Sequence, residues 1–271
     1  MSINSSSNRN QGSPSHDRAI SIVLPCYNEV AAIEPVLERL QAMAESWRND
    51  GFHLFEIIVV DDGSTDGTRD VASKWTAANQ HDFKVSLSII THDFRRGYGG
   101  ALKTGIAAAS GDFIAFYDVD GTYDPALIPE MIESMLTRKA SMACGDRLSL
   151  VEHMPLTREV GNRLFVGTIN LLYRTRVFDS CTGMRVFSRD LRDFFSSDAL
   201  PNGLDYSLAM TLTFLRTGHR LIELPIPYAK RIGRSKLRVL SDGPRFFLRI
   251  LGSWLHTSDH VKAFRHSRKT E

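Results

Sequence analysis

Four short apolar runs, each followed by a longer stretch of helical pattern, dominate the chain between Ala19 and about Gly145. The runs are Ile20–Leu24, Phe55–Val60, Val85–Ile90 and Phe113–Tyr117, and helices are expected near 29–47, 65–79, 99–110 and 125–138. Parallel strands need a crossover of a dozen or more residues, usually a helix. Runs without a polar face must be covered on both sides. The pattern therefore predicts an α/β fold: a mainly parallel central sheet flanked by helices.

Open sheets of this kind bind ligands beyond the carboxyl ends of their strands. The residues there are unusually polar: Pro25-Cys26-Tyr27-Asn28-Glu29 after the first run, Asp61 to Thr68 after the second, and Asp118-Val119-Asp120 after the fourth. Two carboxylates at the end of a buried strand are poor core material but suit a hard divalent cation, which takes one or two protein carboxylates and completes its shell with water and phosphate. Asp118 and Asp120 are thus candidate ligands for Mg²⁺ or Mn²⁺, a bridge to a phosphorylated substrate. The Asp61 to Thr68 stretch also reads as a plain turn with Thr65 as helix cap. Arg95-Arg96-Gly97-Tyr98-Gly99-Gly100 resembles an anion nest. It follows the third strand and lacks GxGxxG spacing, which disfavours a dinucleotide site. The small-residue segment Ala101 to Ser110 reads better as a close-packing helix near a ligand.

A formal net charge of +2 over 271 residues gives no case for nucleic-acid binding. Cys26, Cys144 and Cys181 are far apart and odd in number, which suggests neither disulfides nor zinc and fits a reducing cytoplasm. Residues 1–18 are rich in Ser and Asn without an apolar stretch and are expected to be a disordered tail. No apolar run of about 18 residues occurs, so membrane contact would be peripheral.

The strand-end motifs occur in a fixed order with Gly145-Asp146-Arg147, Asp179-Ser180-Cys181-Thr182-Gly183-Met184-Arg185 and Arg231-Ile232-Gly233-Arg234-Ser235-Lys236. Together they resemble family 2 glycosyltransferases of the GT-A nucleotide-sugar-binding fold, in the branch of dolichyl-phosphate mannose and glucose synthases and bacterial polyprenyl-phosphate sugar transferases. The resemblance spans about residues 19–250. It implies a glycosyltransferase domain over 19–238, followed by an amphipathic helix and basic tail over 239–271.

It further implies that Pro25, Tyr27, Glu29 and Asp61 or Asp62 hold the base and ribose, where carboxylates accept from hydroxyls and N–H groups. Asp118 and Asp120 become the DxD metal site. Arg147 and Arg158 become clamps for an acceptor phosphate, which guanidinium forks bind bidentately. Asp179 becomes a general base for a hydroxyl acceptor, or an orienting group for a phosphate one. Arg231, Arg234 and Lys236 belong to a loop that closes over the diphosphate.

Some positions depart from the family. Thr122 stands where many relatives have Gln, Arg95-Arg96-Gly97 replaces Asn-x-Gly, and of the usual pair of acids only Asp205 remains, with Ala209 in the second place.

Between 242 and 256 apolar residues gather on one side of a helical wheel and Arg245 and Arg249 on the other, which suits a membrane interface, the protein's own core or a partner subunit. Lys262, Arg265, His266, Arg268 and Lys269 follow.

The expected activity is an inverting, metal-dependent transfer of a hexose from a UDP- or GDP-linked donor to a polyprenyl or dolichyl phosphate, by an enzyme on the cytoplasmic face of a membrane. Two alternatives are a soluble or polysaccharide hydroxyl acceptor, and a non-catalytic scaffold. A homo-oligomer or membrane partner subunit is compatible with either.

Overall fold

The computed structural model describes residues 18–79, 85–151, 153–233, 235–237 and 239–255. The N-terminal tail before Arg18, Arg234 and the basic end after residue 255 lie outside the described residues.

Seven strands form one sheet: β1 (Arg18–Cys26), β2 (Phe52–Asp61), β3 (Ser86–Thr91), β4 (Phe113–Phe116), β5 (Met142–Asp146), β6 (Arg185–Ser188) and β7 (Leu221–Pro225). Their order is β3-β2-β1-β4-β6-β5-β7. All neighbours are parallel except β6, which runs antiparallel to both β4 and β5. The helices are α1 (Ile33–Asn49), α2 (Thr68–Asn79), α3 (Tyr98–Ala108), α4 (Ile128–Thr137), α5 (Leu156–Tyr173), α6 (Arg192–Ser196), α7 (Tyr206–Thr217) and α8 (Val239–Leu255).

The expected mainly parallel, helix-flanked sheet is present. One face buries Ile20, Ile22, Leu24 and Ile57 against α1 and α4, the other Val23, Ile58, Val60 and Ile114 against α3, α6 and α7. Each fully buried aliphatic side chain is worth about 1.5–3 kcal/mol relative to exposure. A third cluster joins α5, α7 and α8 through Ile169, Leu208, Leu212, Phe246 and Ile250.

Two boundaries moved for local reasons. The first helix begins at Ile33 rather than near 29 because Asn28 takes a positive φ of 52° and the Glu29 amide is held across the crevice by Thr68 Oγ1 at 2.8 Å. The second begins at Thr68, and the side chain that caps it is Asp66 rather than Thr65: Asp66 Oδ1 accepts from the Thr68 amide at 3.0 Å. The side chain of Asp66 thus closes the turn that Thr65 was expected to close.

The small-residue helix α3 lies close against the sheet. A Cβ on Gly105 would fall 2.3 Å from Val23 Cγ1 and 3.0 Å from Val60 Cγ2. Gly105→Ala is therefore expected to destabilise the fold by about 1–3 kcal/mol through overpacking, read as a lower urea midpoint at unchanged slope.

Candidate active site

Strands β1, β2 and β4 end side by side, and their loops share a cleft of about 680 Å³ that continues to α5 and α8. The first two loops are stitched together: the Asn28 amide donates to Ser64 Oγ at 2.9 Å, and the Thr65 amide donates to Asn28 Oδ1 at 2.8 Å. Pro25, Tyr27 and Glu29 line the cleft, with the Tyr27 ring under the Arg95 guanidinium at 4.2 Å.

The two acids of the second loop do different things. Asp62 accepts from the amides of Arg96 and Gly97 at 2.7 and 2.8 Å and lies 2.8 Å from His92 Nδ1, so it ties the second loop to the third. Gly97 has a φ of +96°, and a Cβ there would meet the Asn202 carbonyl oxygen at 2.5 Å. Asp61 is buried and accepts from the Ser64 amide at 3.3 Å. Asp62 is on the cleft wall, whereas Asp61 is behind it.

Asp118 and Asp120 line the cleft. Asp120 is 1% exposed, and its Oδ1 accepts from the amide and hydroxyl of Thr122. Tyr98 Oη donates to Asp118 Oδ1 at 2.8 Å. On its other side Asp118 faces Gly183, where a Cβ would sit 2.3 Å from Oδ2. Glycine at 183 is what allows the acid and this loop to share the space. Burial and the neighbouring Asp120 charge push the Asp118 carboxyl up to about 7.

Part of the acidic charge is met by Arg231, whose Nη2 lies 2.5 Å from Asp120 Oδ2. Nearby, Lys236 pairs with Glu29, which burial shifts upward against the opposing pull of that lysine. Arg231 and Lys236, from the segment after β7, thus reach the acids of the fourth and first strand ends.

At the end of β5 Arg147 is buried and gripped by Asp179, Nε to Oδ2 at 2.6 Å and Nη2 to Oδ1 at 2.9 Å, with Nη1 on Tyr123 Oη at 3.3 Å. Arg147 lines the cleft, and Asp179 lies behind it with a side chain 0% exposed. Glu223 on β7 holds this loop by accepting from the amides of Phe178 and Asp179 at 2.9 and 2.7 Å, and burial pushes its carboxyl to about 7. Arg158 reaches the same cleft from α5. Tyr98, Tyr123 and Glu223 were not among the expected site residues. The signal for Glu223 was an acid inside the apolar run Leu221 to Ile226.

Among the described residues no group of three or more His, Cys, Asp or Glu forms a ready cage for a metal ion. Asp118 and Asp120 fit a cation that draws the rest of its shell from water and phosphate. Asp120 Oδ2 is buried and accepts no hydrogen bond among the described residues but is paired with the Arg231 guanidinium, so a metal cation reaching it would take the place of that arginine.

The family model described as "Glycosyl transferase family 2" matches residues 21–195. The chain belongs to this family. It is 31% identical over 230 residues to the low-salt glycan biosynthesis hexosyltransferase Agl6 of Haloferax volcanii, covering 83% of this chain and 51% of Agl6. It spans 37% of a second relative from that organism, the glycosyltransferase AglD, at 29% identity. It is also 26% identical over 225 residues to a dolichyl-phosphate hexose transferase of H. volcanii, covering 83% of this chain and 89% of that one. Its fold is similar to that of glucosyl-3-phosphoglycerate synthase from Mycobacterium tuberculosis, solved with Mn²⁺, UDP and phosphoglyceric acid, with a TM-score of 0.65, 22% identity and coverage of 88% and 78%. The GT-A architecture expected from the motifs is thus the architecture of this chain.

An acid raised in the folded state makes stability fall as pH rises from its ordinary range to its folded value. For Asp118 that window runs from about 4 to about 7. In metal-free protein Asp118→Asn is expected to flatten this loss and raise stability at pH 8 by about 1–3 kcal/mol, measured by urea unfolding at pH 5 and pH 8. Glu223 titrates in the same window, so part of the slope remains.

Proposed function

We propose that the protein transfers a hexose from a UDP- or GDP-linked sugar to a polyprenyl or dolichyl phosphate, with inversion, at the cytoplasmic face of a membrane. The carrying observation is the cleft itself, lined by the paired acids, by Arg147 and Arg158, and by apolar side chains of α5 and α8 such as Leu164, Phe165, Phe246 and Phe247. Pro25, Tyr27, Glu29 and Asp62 would embrace the nucleoside, with Asp61 supporting the loop from behind. Asp118 and Asp120 would hold Mg²⁺ or Mn²⁺, which neutralises charge on the departing diphosphate. Arg231, Arg234 and Lys236 would close over that diphosphate and exclude water. An acceptor phosphate oxygen bonds to the anomeric carbon as the bond from that carbon to the diphosphate oxygen breaks, and the nucleoside diphosphate leaves.

A phosphate acceptor is favoured over a hydroxyl because a phosphate is already anionic and needs no base. Asp179 is committed to Arg147 through two hydrogen bonds and lies off the cleft wall, which suits an orienting group. The dolichyl-phosphate hexose transferase relative supports the same choice. The β1, β2 and β4 loops for the donor and Arg147 with α5 for the acceptor line one cleft, which would let both substrates be held together for in-line attack and inversion. The retained acids count against a scaffold without activity.

The membrane part rests on α5 and α8. Leu156, Val160, Leu164 and Leu171 are exposed and, at intervals of four, four and seven, share one face of α5. Leu248 and Leu255 are exposed on α8, and Phe165 packs on Phe246 at 5.8 Å to join the two helices. No helix of the described residues is long and apolar enough to cross a membrane. The described part would therefore lie on the surface, as domain 19–238 with α8 beside it. A partner subunit or second copy on this face would compete with lipid.

Labelled hexose should pass into an organic-extractable lipid with Mg²⁺ or Mn²⁺ present, and Asp120→Ala should lower the rate at least about 100-fold. No transfer from any UDP- or GDP-hexose to any polyprenyl phosphate would refute the reading. Leu156→Glu with Leu164→Glu is expected to abolish flotation with anionic vesicles while the fold, by circular dichroism, is retained.

A further inference from the structure

The cations of the segment after β7 sit on the acids of the cleft, and one of these contacts bears on how the site fills. Arg231 Nη2 lies 2.5 Å from Asp120 Oδ2, the oxygen of Asp120 that accepts no hydrogen bond among the described residues. A divalent cation at the paired acids would need that same oxygen. Two cations cannot share it without strong repulsion at this depth, where charges are poorly screened.

The arginine is placed there by the backbone rather than by chance rotation of a long side chain. The Ala229 amide donates to the Thr122 carbonyl at 3.0 Å and the Ile232 amide to the Asp120 carbonyl at 2.8 Å. Gly121 between them has a φ of +75°, and a Cβ there would press on Ile232 Cδ1 at 2.9 Å. The segment is therefore fitted directly onto the acid-bearing loop. Arg231 Nε is buried without an acceptor among the described residues. An anion with several oxygens would supply one.

Resting on the metal and donor sites described above, we propose that Arg231 is a gate on the metal site: it occupies the cation position at Asp120 until a nucleoside diphosphate draws it away, so metal and donor bind together and metal alone binds poorly. The diphosphate offers Arg231 two or more oxygens in exchange for one, and the divalent cation takes over the charge of Asp120. Nothing is left unneutralised at either place. By linkage, each of the two ligands raises affinity for the other by the same factor.

The test is Mn²⁺ binding followed by electron paramagnetic resonance, with and without UDP or GDP, on wild type, Arg231→Ala, Arg231→Lys and Asp120→Asn. R231A is expected to bind Mn²⁺ alone at least about tenfold tighter than wild type, within the usual range of site coupling, and to gain less from added diphosphate. R231K retains a cation and should stay close to wild type. D120N should bind Mn²⁺ weakly under all conditions. If R231A binds Mn²⁺ alone no tighter than wild type while D120N has lost binding, the gate is wrong and the metal site stands. If Mn²⁺ binds none of the four proteins even with diphosphate, or binds D120N as well as wild type, the metal reading fails and the gate with it. Arg231→Gln serves as a second neutral variant should R231A lose its thermal transition.

Discussion

The charge of Asp118 and Asp120 is the constraint around which the rest of the cleft is arranged. Two carboxylates one residue apart, at the end of a strand buried on both faces, would be expelled from most proteins. Here each neighbour answers that charge. Tyr98 donates to one acid, Thr122 to the other, Arg231 supplies a positive charge, and Gly183 gives up its side chain to make room. Stability is lost at these positions, and proteins accept such losses mainly where a ligand recovers them.

The Arg147 side of the cleft is built on the same principle with the sign reversed. Arg147 is buried with a full carboxylate partner, and the loop carrying that partner is hung from Glu223. Arg185, wholly buried, does not point into the cleft at all: it bonds to the Ser180 carbonyl and Thr211 Oγ1 and fastens the same loop to α7. Two arginines, one after β5 and one at the start of β6, thus divide the work, one facing the cleft and one holding the loop beside it. The family-like Thr-Gly-Met-Arg element is explained by these two demands, close approach at Gly183 and anchorage at Arg185.

Much of this was legible in the residues. Period and run length exposed β1, β2 and β4 because those strands are largely apolar blocks, and β3 because its Ser and Leu alternate before Ile89 and Ile90; the strand-end acids stood out against them. The second half was harder to read. Strand β6 is four residues long and begins with a buried arginine, so no apolar run announces it, and its reversal of direction depends on pairing with β4 and β5. The separation of Asp61 from Asp62 was also illegible: adjacent residues of a loop point opposite ways, and which one meets the cleft depends on His92 and the amides of residues 96 and 97. Tyr98 and Tyr123 carry no signature beyond being tyrosines, since their roles come from which acid or amide the fold sets beside each hydroxyl.

The antiparallel strand β6 divides the molecule in a way that bears on how such chains diversify. Everything before it on the sheet, β1 to β4 with their loops, is drawn from residues 18–123 and forms the acid-rich wall. Arg147, Arg158 and the rest of α5 on the same cleft come from β5 onward. The two parts are joined at several places: β4 pairs with β6, the Gly99 amide donates to the Asn202 carbonyl at 2.9 Å, and Arg231 and Lys236 fold back onto Asp120 and Glu29. Exchange of either part between distant relatives would have to preserve each of these crossings, and the return of Arg231 and Lys236 is the one that lies on the acids themselves.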